Sequence, residues 1–206
     1  MFLFKHNHKL LEIEDILKLK KKYKIKKLNI LDFGCSNGLW KEKELKKELI
    51  KIYLYDKNKK LIPYLKKKYQ KSKKIILSFD KKNIFKKEIN LIIFSSVIQY
   101  LSHKELKIIF LKIIKNYKNK KLFILLNDIP IFPRFIEIFL LPLINFRIFL
   151  YAITLTFNKN YLKIKYFKHN INNLKYIVDN FEIKKNGYSN GMNFLRKKIL
   201  LIKKFH

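Results

Sequence analysis

The sequence predicts an α/β protein with a seven-stranded, mostly parallel sheet, helices on both faces and an antiparallel C-terminal hairpin. Three observations carry this prediction. Short apolar runs alternate with segments rich in helix formers from residue 8 to residue 128. These runs are continuously apolar, as expected for parallel strands that are covered on both faces. The last two strand-like runs follow each other with only a turn between them, which indicates a hairpin.

The individual elements follow from local composition. Strands are predicted over 27–33, 51–56, 74–80, 89–96, 121–128, 181–190 and 193–205, and helices over 8–24, 39–50, 60–70, 102–117 and 170–180. Pro63 fits the first turn of its helix. Ser102, with Glu105 three residues later, predicts a capping box at the start of the fourth helix. Gly187 and Gly191 mark the turn of the terminal hairpin.

Length and composition favour one folded domain over residues 1–206. A hydrophobic fraction of 49% argues against disorder. The single cysteine, Cys35, excludes an internal disulfide, which favours a reducing cytoplasm. The first residues reach lysine and histidine too early for the apolar core of a secretory signal.

The net charge of +33 is the most unusual bulk property. Such a charge predicts attraction to nucleic acid or anionic lipid. However, all but three of the 48 basic residues are lysines, which are spread along the whole chain, and the chain is also rich in Ile, Asn, Phe and Tyr. Those residues have A/T-rich codons, so we favour a compositional bias of the genome over a dedicated polyanion partner.

The stretch "ILDFGCSNGLW" over 30–40 holds two of the four glycines, Gly34 and Gly38. Glycine adopts positive φ and lets the backbone approach a ligand closely. A turn between the first strand and a helix lies at the edge of an α/β sheet where ligands bind. The spacing differs from the G-x-G-x-x-G pattern of dinucleotide sites, which disfavours a nicotinamide or flavin dinucleotide.

The segment "LDFGCSNG" over 31–38 resembles motif I of class I S-adenosylmethionine-dependent methyltransferases, with Ser36 where the middle glycine is commonest. The resemblance implies that Asp32 anchors the loop and the methionine end of the cofactor. It also implies that Gly34, Cys35, Ser36 and Gly38 shape the wall around the cofactor. The expected cofactor is S-adenosyl-L-methionine.

The following strand ends carry residues that suit the rest of this cofactor. Asp56 ends the second predicted strand, and such a carboxylate can accept both ribose hydroxyls; Lys57 follows it. Asp80 ends the third predicted strand, where the resemblance implies an acceptor for the adenine amino group. Phe79 and Ile84 are then expected to cover the adenine faces.

The fourth and fifth strand ends suit the methyl acceptor. "FSSVIQYL" over 94–101 resembles motif IV of the family, which implies Ser95 for the cofactor, and Gln99 and Tyr100 for the substrate. Asn127 is expected to contact the substrate as well. Asp128 is the candidate general base; its alternative role is that of a loop anchor or helix cap.

The acceptor is predicted to be a small molecule or a glycan that is methylated on oxygen. The Asn/Asp-Pro-Pro-aromatic motif of amino-methylating relatives is missing, while "NDIP" and "NFLRKKILLIKK" look like small methyltransferases of bacterial surface-polysaccharide gene clusters. The alternatives are an RNA- or protein-directed methyltransferase and a non-catalytic protein of the same fold that binds a partner through residues 132–157.

An apolar segment over 130–160 is predicted to be a helical insertion between strands 5 and 6. Residues 138–157 are long enough to cross a bilayer, but Arg147 interrupts them. We favour a helical cap over the acceptor pocket, with peripheral contact of 132–157 with the inner membrane surface as the alternative. The expected location is therefore cytoplasmic, with peripheral membrane contact as an option. No metal is expected, and His103 and His169 are predicted to be surface histidines.

Overall fold

The computed structural model describes residues 13–38, 40, 50–78, 80, 83–118, 120–130, 167–189 and 193–204. The strands are β1 Leu28–Phe33, β2 Ile50–Tyr55, β3 Ile75–Leu77, β4 Leu91–Ser95, β5 Phe123–Pro130, β6 Phe181–Ser189 and β7 Asn193–Lys203. They form one seven-stranded sheet in the order β3-β2-β1-β4-β5-β7-β6. The predicted sheet is thus confirmed.

The first five strands are parallel, and β7 lies antiparallel between β5 and β6. The chain runs outward from β1 to β3 and then returns to β4 on the other side of β1. The strand order therefore reverses between β1 and β4. In open α/β sheets, ligands bind beyond the carboxyl ends of the strands at such a point.

The described helices are α1 over 13–22, α2 Ile62–Tyr69, α3 His103–Asn116 and α4 Lys175–Val178. Short 3-10 turns at Lys59–Leu61, Ile84–Lys86, Ile98–Tyr100 and Ile171–Asn173 join them to the strands. The predicted capping box at Ser102 and Glu105 is present at the start of α3. Pro63 lies in the first turn of α2, as expected.

The two faces of the sheet bury two separate cores. Apolar residues of α1 and α2 pack with Leu28, Ile30 and other strand residues of one face. Apolar residues of α3 and α4 pack with Leu31, Phe33 and their neighbours on the opposite face. This division follows from the period of two in a strand, since successive side chains point to opposite faces. Helices on both faces explain why the parallel strands read as continuous apolar runs.

Three differences from the predicted elements affect candidate residues or a whole helix. β3 ends at Leu77, so Asp80 lies in the segment after the strand. β5 continues to Pro130, so Asn127 and Asp128 lie inside the strand. The helix predicted over 170–180 is a 3-10 turn followed by the single turn of α4. Asparagine disfavours helix interiors because its side chain competes for backbone hydrogen bonds, which explains the break after "NINN".

Several predictions lie outside the described residues. They concern most of the helix over 39–50, nearly all of the insertion over 130–160, and Phe79 and Gly191. The single domain over 1–206 stays a prediction. Among the helices that the structure describes, none has both the length and the apolar character needed to cross a membrane.

Candidate active site

The loop after β1 adopts an unusual backbone that is tied to β2. Gly34, Ser36 and Gly38 have φ values of +81°, +50° and +56°. The N–H groups of Gly34 and Cys35 both donate to the Tyr55 carbonyl, at 2.7 and 3.0 Å. We call residues 34–38 the motif loop. The motif loop directly follows β1 and therefore lies at the carboxyl end of that strand, beside the point where the strand order reverses.

Both glycines of the motif loop are crowded by the protein itself. A Cβ on Gly34 would lie 2.4 Å from Cγ2 of Val97, which follows β4. A Cβ on Gly38 would lie 2.8 Å from the Tyr69 ring and 3.0 Å from Leu65, both in α2. The sequence alone predicts that a ligand is the reason for the bare backbone. The structure shows that packing between the loop and its neighbours already requires it.

Asp32 lies at the end of β1 and is buried, with 1% of its surface exposed. Its Oδ2 accepts a hydrogen bond of 2.7 Å from the indole Nε1–H of Trp40, which is equally buried. Trp40 is thus a core residue that also has a polar role. Because Asp32 precedes the motif loop and Trp40 follows it, this bond connects the two sides of the loop.

Asp56 organises the motif loop from the end of β2. Its Oδ2 accepts the Ser36 N–H at 2.8 Å, and its Oδ1 accepts the Asn58 N–H at 2.8 Å. A carboxylate oxygen can accept more than one hydrogen bond, so these contacts leave capacity for ligand hydroxyls. The neighbouring Lys57 is exposed.

The negative charges of Asp56 and Asp80 both influence the hydroxyl of Tyr55. Burial raises the pKa of Tyr55, and the negative charges of Asp56 and Asp80 raise it further. Asp56 and Asp80, which are predicted to bind the ribose and the adenine, therefore act electrostatically on the same hydroxyl group. Asp80 is exposed and accepts a hydrogen bond of 2.5 Å from the Asn83 amide.

Ile84 is placed differently from the expectation. Its side chain is fully buried and belongs to the core on the α3 face of the sheet. A completely buried side chain has no surface left for a ligand. The expectation that Ile84 covers an adenine face is therefore wrong.

The ends of β4 and β5 meet in a second unusual backbone region. Ser96 and Asp128 have φ values of +55° and +58°, although neither is glycine. The Ser96 hydroxyl donates to Asp128 Oδ2 at 2.5 Å, and the Ser96 N–H donates to the Asn127 carbonyl at 3.2 Å. Ser95, which is half-buried, pairs with Asn127 across the strands. We call Ser96, Asn127 and Asp128 the β4/β5 corner.

A β-bulge explains how Asp128 reaches Ser96. Asn127 and Asp128 together lie opposite Lys198 of β7, because the register shifts between Leu126 and Ile129. Bulges change the direction of a side chain and are frequent beside active sites. Asn127 and Asp128 are both buried, as is Lys198, which is ion-paired with Asp15 of α1.

The turn after β4 holds the predicted substrate residues. Gln99 is buried, with 2% exposed, and Tyr100 is half-buried. The Gln99 carbonyl accepts the Phe167 N–H at 2.7 Å. Residue 167 follows the predicted insertion, so the chain that returns from it is attached directly to this turn.

His169 makes a further contact with the turn after β4, and its position differs from the prediction. Its Nε2–H donates to the Leu101 carbonyl at 2.8 Å, and its Nδ1 lies 3.3 Å from Nδ1 of His103. His169 is only 5% exposed, so the prediction of a surface position is wrong for it, whereas His103 is exposed as expected. Burial lowers the pKa of His169, although its bond to Leu101 opposes that shift.

Sequence reasoning missed two residues of this region. Ser96 carried no signal because left-handed positions are usually recognised by glycine. Lys68 contacts the carbonyls of Asn37 and Gly38, but it is one of 45 lysines in the chain. In the parts of the chain that the structure describes, no group of three or more His, Cys, Asp or Glu side chains could hold a metal ion.

No family model matches the sequence, and no curated protein matches it either. The fold does match solved structures. Magnesium protoporphyrin IX methyltransferase (ChlM) from Synechocystis PCC 6803, with bound SAH, superposes with a TM-score of 0.63 at 12% identity. The match covers 94% of this chain and 83% of that chain. This chain has the class I methyltransferase fold.

Two further structures share the class I methyltransferase fold with this chain. The methyltransferase domain of bacterial CtHen1-C has a TM-score of 0.60 at 11% identity and covers 95% of this chain and 97% of that one. Mycolic acid cyclopropane synthase CmaA1, complexed with SAH and CTAB, has a TM-score of 0.58 at 10% identity, with coverages of 86% and 78%. Identities this low establish the fold alone.

Proposed function

We propose that this protein is an S-adenosylmethionine-dependent methyltransferase that methylates an oxygen of a small-molecule or glycan acceptor. The observation that carries the proposal is the motif loop at the carboxyl end of β1, with Asp56 at the end of β2 bonded to its Ser36 N–H and Asp80 in the segment after β3. The resemblance of 31–38 to motif I supports the same cofactor. So do the ChlM structures with bound SAH and SAM, because they share this fold.

The residues at this edge fit such a cofactor chemically. A carboxylate at the end of β2 and another in the segment after β3 suit a ribose diol and an adenine amino group, since both are hydrogen-bond donors. When bound, the cofactor supplies an electrophilic methyl group on a sulfonium. In the proposed assignment Asp56 and Lys57 bind the ribose, Phe79 and Asp80 bind the adenine, and Asp32, Gly34, Cys35, Ser36, Gly38 and Ser95 surround the methionine part.

The β4/β5 corner is the proposed acceptor side. Methyl transfer requires the acceptor atom to be aligned and close, and a hydroxyl acceptor also has to lose its proton. Asp128 is the proposed proton acceptor because its carboxylate is buried beside Ser96 at the end of the sheet that carries the motif loop. Gln99, Tyr100 and Asn127 are the proposed acceptor contacts.

Two proteins of the same fold support a small-molecule acceptor, because ChlM and CmaA1 are named for a porphyrin and for mycolic acid. The resemblance of "NDIP" and "NFLRKKILLIKK" to methyltransferases of surface-polysaccharide gene clusters favours a glycan as the acceptor. We propose a cytoplasmic location, with residues 132–157 as a cap over the acceptor pocket and their peripheral contact with the inner membrane surface as the alternative.

The net charge of +33 favours RNA or a ribosome-associated protein as the second candidate acceptor. Titration with a single-stranded RNA at several salt concentrations tests it. The logarithm of the binding constant is plotted against the logarithm of the salt concentration. A slope near −0.7 for each of several phosphates contacted would support this alternative. Salt-independent or absent binding would support the small-molecule or glycan acceptor.

Calorimetric titration with S-adenosylhomocysteine tests the proposed cofactor. The wild type is expected to bind with a Kd in the micromolar range, and Asp56→Ala is expected to weaken binding at least ~20-fold because a charge-assisted pair of hydrogen bonds is lost. Asp179→Ala is the matched control, since Asp179 is an exposed carboxylate at the end of α4. It should bind like the wild type.

Two results would contradict the proposal. Absence of binding to the folded wild type would leave a non-catalytic protein of this fold as the better interpretation. Equal affinities of wild type and Asp56→Ala would show that the cofactor does not contact Asp56. Tritiated S-adenosylmethionine with fractionated cell-envelope and small-molecule extracts then identifies the acceptor by the fraction that becomes labelled.

A further inference from the structure

The last turn of α2 packs against the motif loop. The Lys68 Nζ donates to the Asn37 carbonyl at 3.0 Å and to the Gly38 carbonyl. The next residue, Tyr69, donates its hydroxyl to the Trp40 carbonyl at 3.1 Å. Leu65 and Tyr69 also fill the space where a Cβ of Gly38 would lie. α2 therefore contacts the chain at residues 37, 38 and 40, around the end of the motif loop.

These contacts complement those from β2. The N–H groups of the motif loop donate to the Tyr55 carbonyl and to Asp56. Its carbonyl groups at 37 and 38 accept from Lys68. The loop contains three positive φ angles, one of them at a serine, and such positions persist only where the surroundings stabilise them. Lys68 supplies the contacts on the carbonyl side.

The surroundings distinguish Lys68 from its neighbours on the helix. Its ammonium lies 5.7 Å from the ring centre of Tyr64 and 5.3 Å from that of Tyr69, within cation–π range. Burial lowers the pKa of Lys68, although the nearby Cys35 opposes that shift. Lys67 lies on the same turn and is exposed, as Lys68 is, but Lys67 has no such contact with the described residues.

We propose that Lys68 is a positioning residue for the cofactor: it holds the 37–38 carbonyls so that the motif loop is already in its binding conformation. This inference rests on the proposed function, because it assumes that the cofactor binds at the motif loop. A loop that is ordered before binding loses less conformational freedom on binding. Removal of the ammonium therefore weakens the cofactor's affinity without contact between Lys68 and the cofactor.

Lys68→Met and the matched control Lys67→Met test the proposal. Both remove one amine from α2 and keep an unbranched side chain. Lys68→Met is expected to weaken the binding of S-adenosylhomocysteine and of S-adenosylmethionine by the same factor. That factor is about tenfold, the typical loss for a hydrogen bond to a charged group. Lys67→Met is expected to bind both compounds as the wild type does.

Trp40 gives a second measurement that needs no ligand. It is the only tryptophan, is buried beside the motif loop and is bonded to Asp32. If Lys68 orders the loop, Lys68→Met should increase acrylamide quenching of Trp40 in the folded protein, while the melting temperature changes by no more than about 3 °C. Lys67→Met should leave the quenching unchanged.

The outcomes separate this proposal from the proposed function. If the wild type binds neither compound, the proposed function fails. If the wild type binds and Lys68→Met binds equally well, the positioning role alone is overturned. If Lys68→Met binds S-adenosylmethionine more tightly but S-adenosylhomocysteine less tightly, Lys68 acts directly on the sulfonium charge and the positioning role is also overturned.

Discussion

The motif loop and the β4/β5 corner both depend on left-handed backbone, but they achieve it with different residues. In the motif loop, Gly34 and Gly38 occupy two of the three positive-φ positions. In the corner, Ser96 and Asp128 occupy both. The difference shows where a side chain is excluded and where one is retained despite its conformational cost.

Packing explains the glycines, and hydrogen bonding explains the other two residues. Val97 and Tyr69 occupy the space that a Cβ on Gly34 or Gly38 would need. Ser96 and Asp128 instead bond to each other through their side chains. A left-handed non-glycine residue costs roughly 1–2 kcal/mol, and such residues concentrate at functional sites. The corner therefore keeps its side chains at a cost in stability.

Gly34→Ala should break the motif loop most severely. A Cβ that lies 2.4 Å from Val97 Cγ2, at a φ of +81°, should lower the free energy of unfolding by about 4 kcal/mol. Urea unfolding measures the loss. The double variant Gly34→Ala/Val97→Ala removes the clashing methyl groups and should recover part of it. If the losses of the two single variants simply add in the double variant, the clash with Val97 is not the cause of the instability of Gly34→Ala.

Trp40→Phe should have the second largest effect. It removes the indole donor from the buried Asp32 carboxylate, which should cost about 2–3 kcal/mol in urea unfolding. Tyr117→Phe is the matched control, because it removes a hydrogen bond of 3.0 Å to the neutral Lys87 carbonyl. The control should cost about 1 kcal/mol. Equal losses would contradict a special role of the charged acceptor.

Asp128→Asn should affect stability much less than catalysis. Asparagine has nearly the same shape and tolerates left-handed φ, so the free energy of unfolding should change by less than about 1 kcal/mol. Methyl transfer to the acceptor found by labelling should fall about 100-fold, because the proton acceptor is lost. Unchanged transfer would assign Asp128 to a structural role.

The burial of His169 against the turn beside the corner predicts a smaller effect, a dependence of the free energy of unfolding on pH. Burial lowers the pKa of folded His169 below its ordinary value of 6.5, so between the two values only the unfolded chain binds the proton. The free energy of unfolding should therefore fall as the pH decreases below about 6.5. His169→Gln keeps a donor for Leu101 and should remove this part of the dependence. The assignment would be contradicted if the wild type and the variant differed in free energy of unfolding by the same amount at about pH 7.5 and at about pH 5.5.

The motif loop could be located from the sequence, whereas the corner could be located only in part. "LDFGCSNG" marks a strand end, two glycines and an acidic residue within eight positions, and each is a local signal. Asp128 was identifiable as a polar residue near a strand end. Its bulge and its bond to Ser96 were not, because a bulge depends on the register with Lys198, which is 70 residues away.

The contacts of individual lysines and histidines also lay beyond the sequence. Lys68 differs from Lys67 only in the direction that α2 gives it, and both lie in the same lysine run. His169 follows a polar segment that favours a surface position, but hydrogen bonds with the turn after β4 bury it. In both cases a distant segment determines the environment of the side chain.

Local periodicity and glycine placement are enough to predict the alternation of strands and helices, the burial of the sheet on both faces and the position of the motif loop. Three contacts depend on the folded chain instead: Val97 and Tyr69 crowd the glycines, Asp56 bonds the loop backbone, and Ser96 bonds Asp128. Hydrophobic periodicity acts over a few residues, whereas these contacts join strand and helix ends that meet only when the sheet has formed.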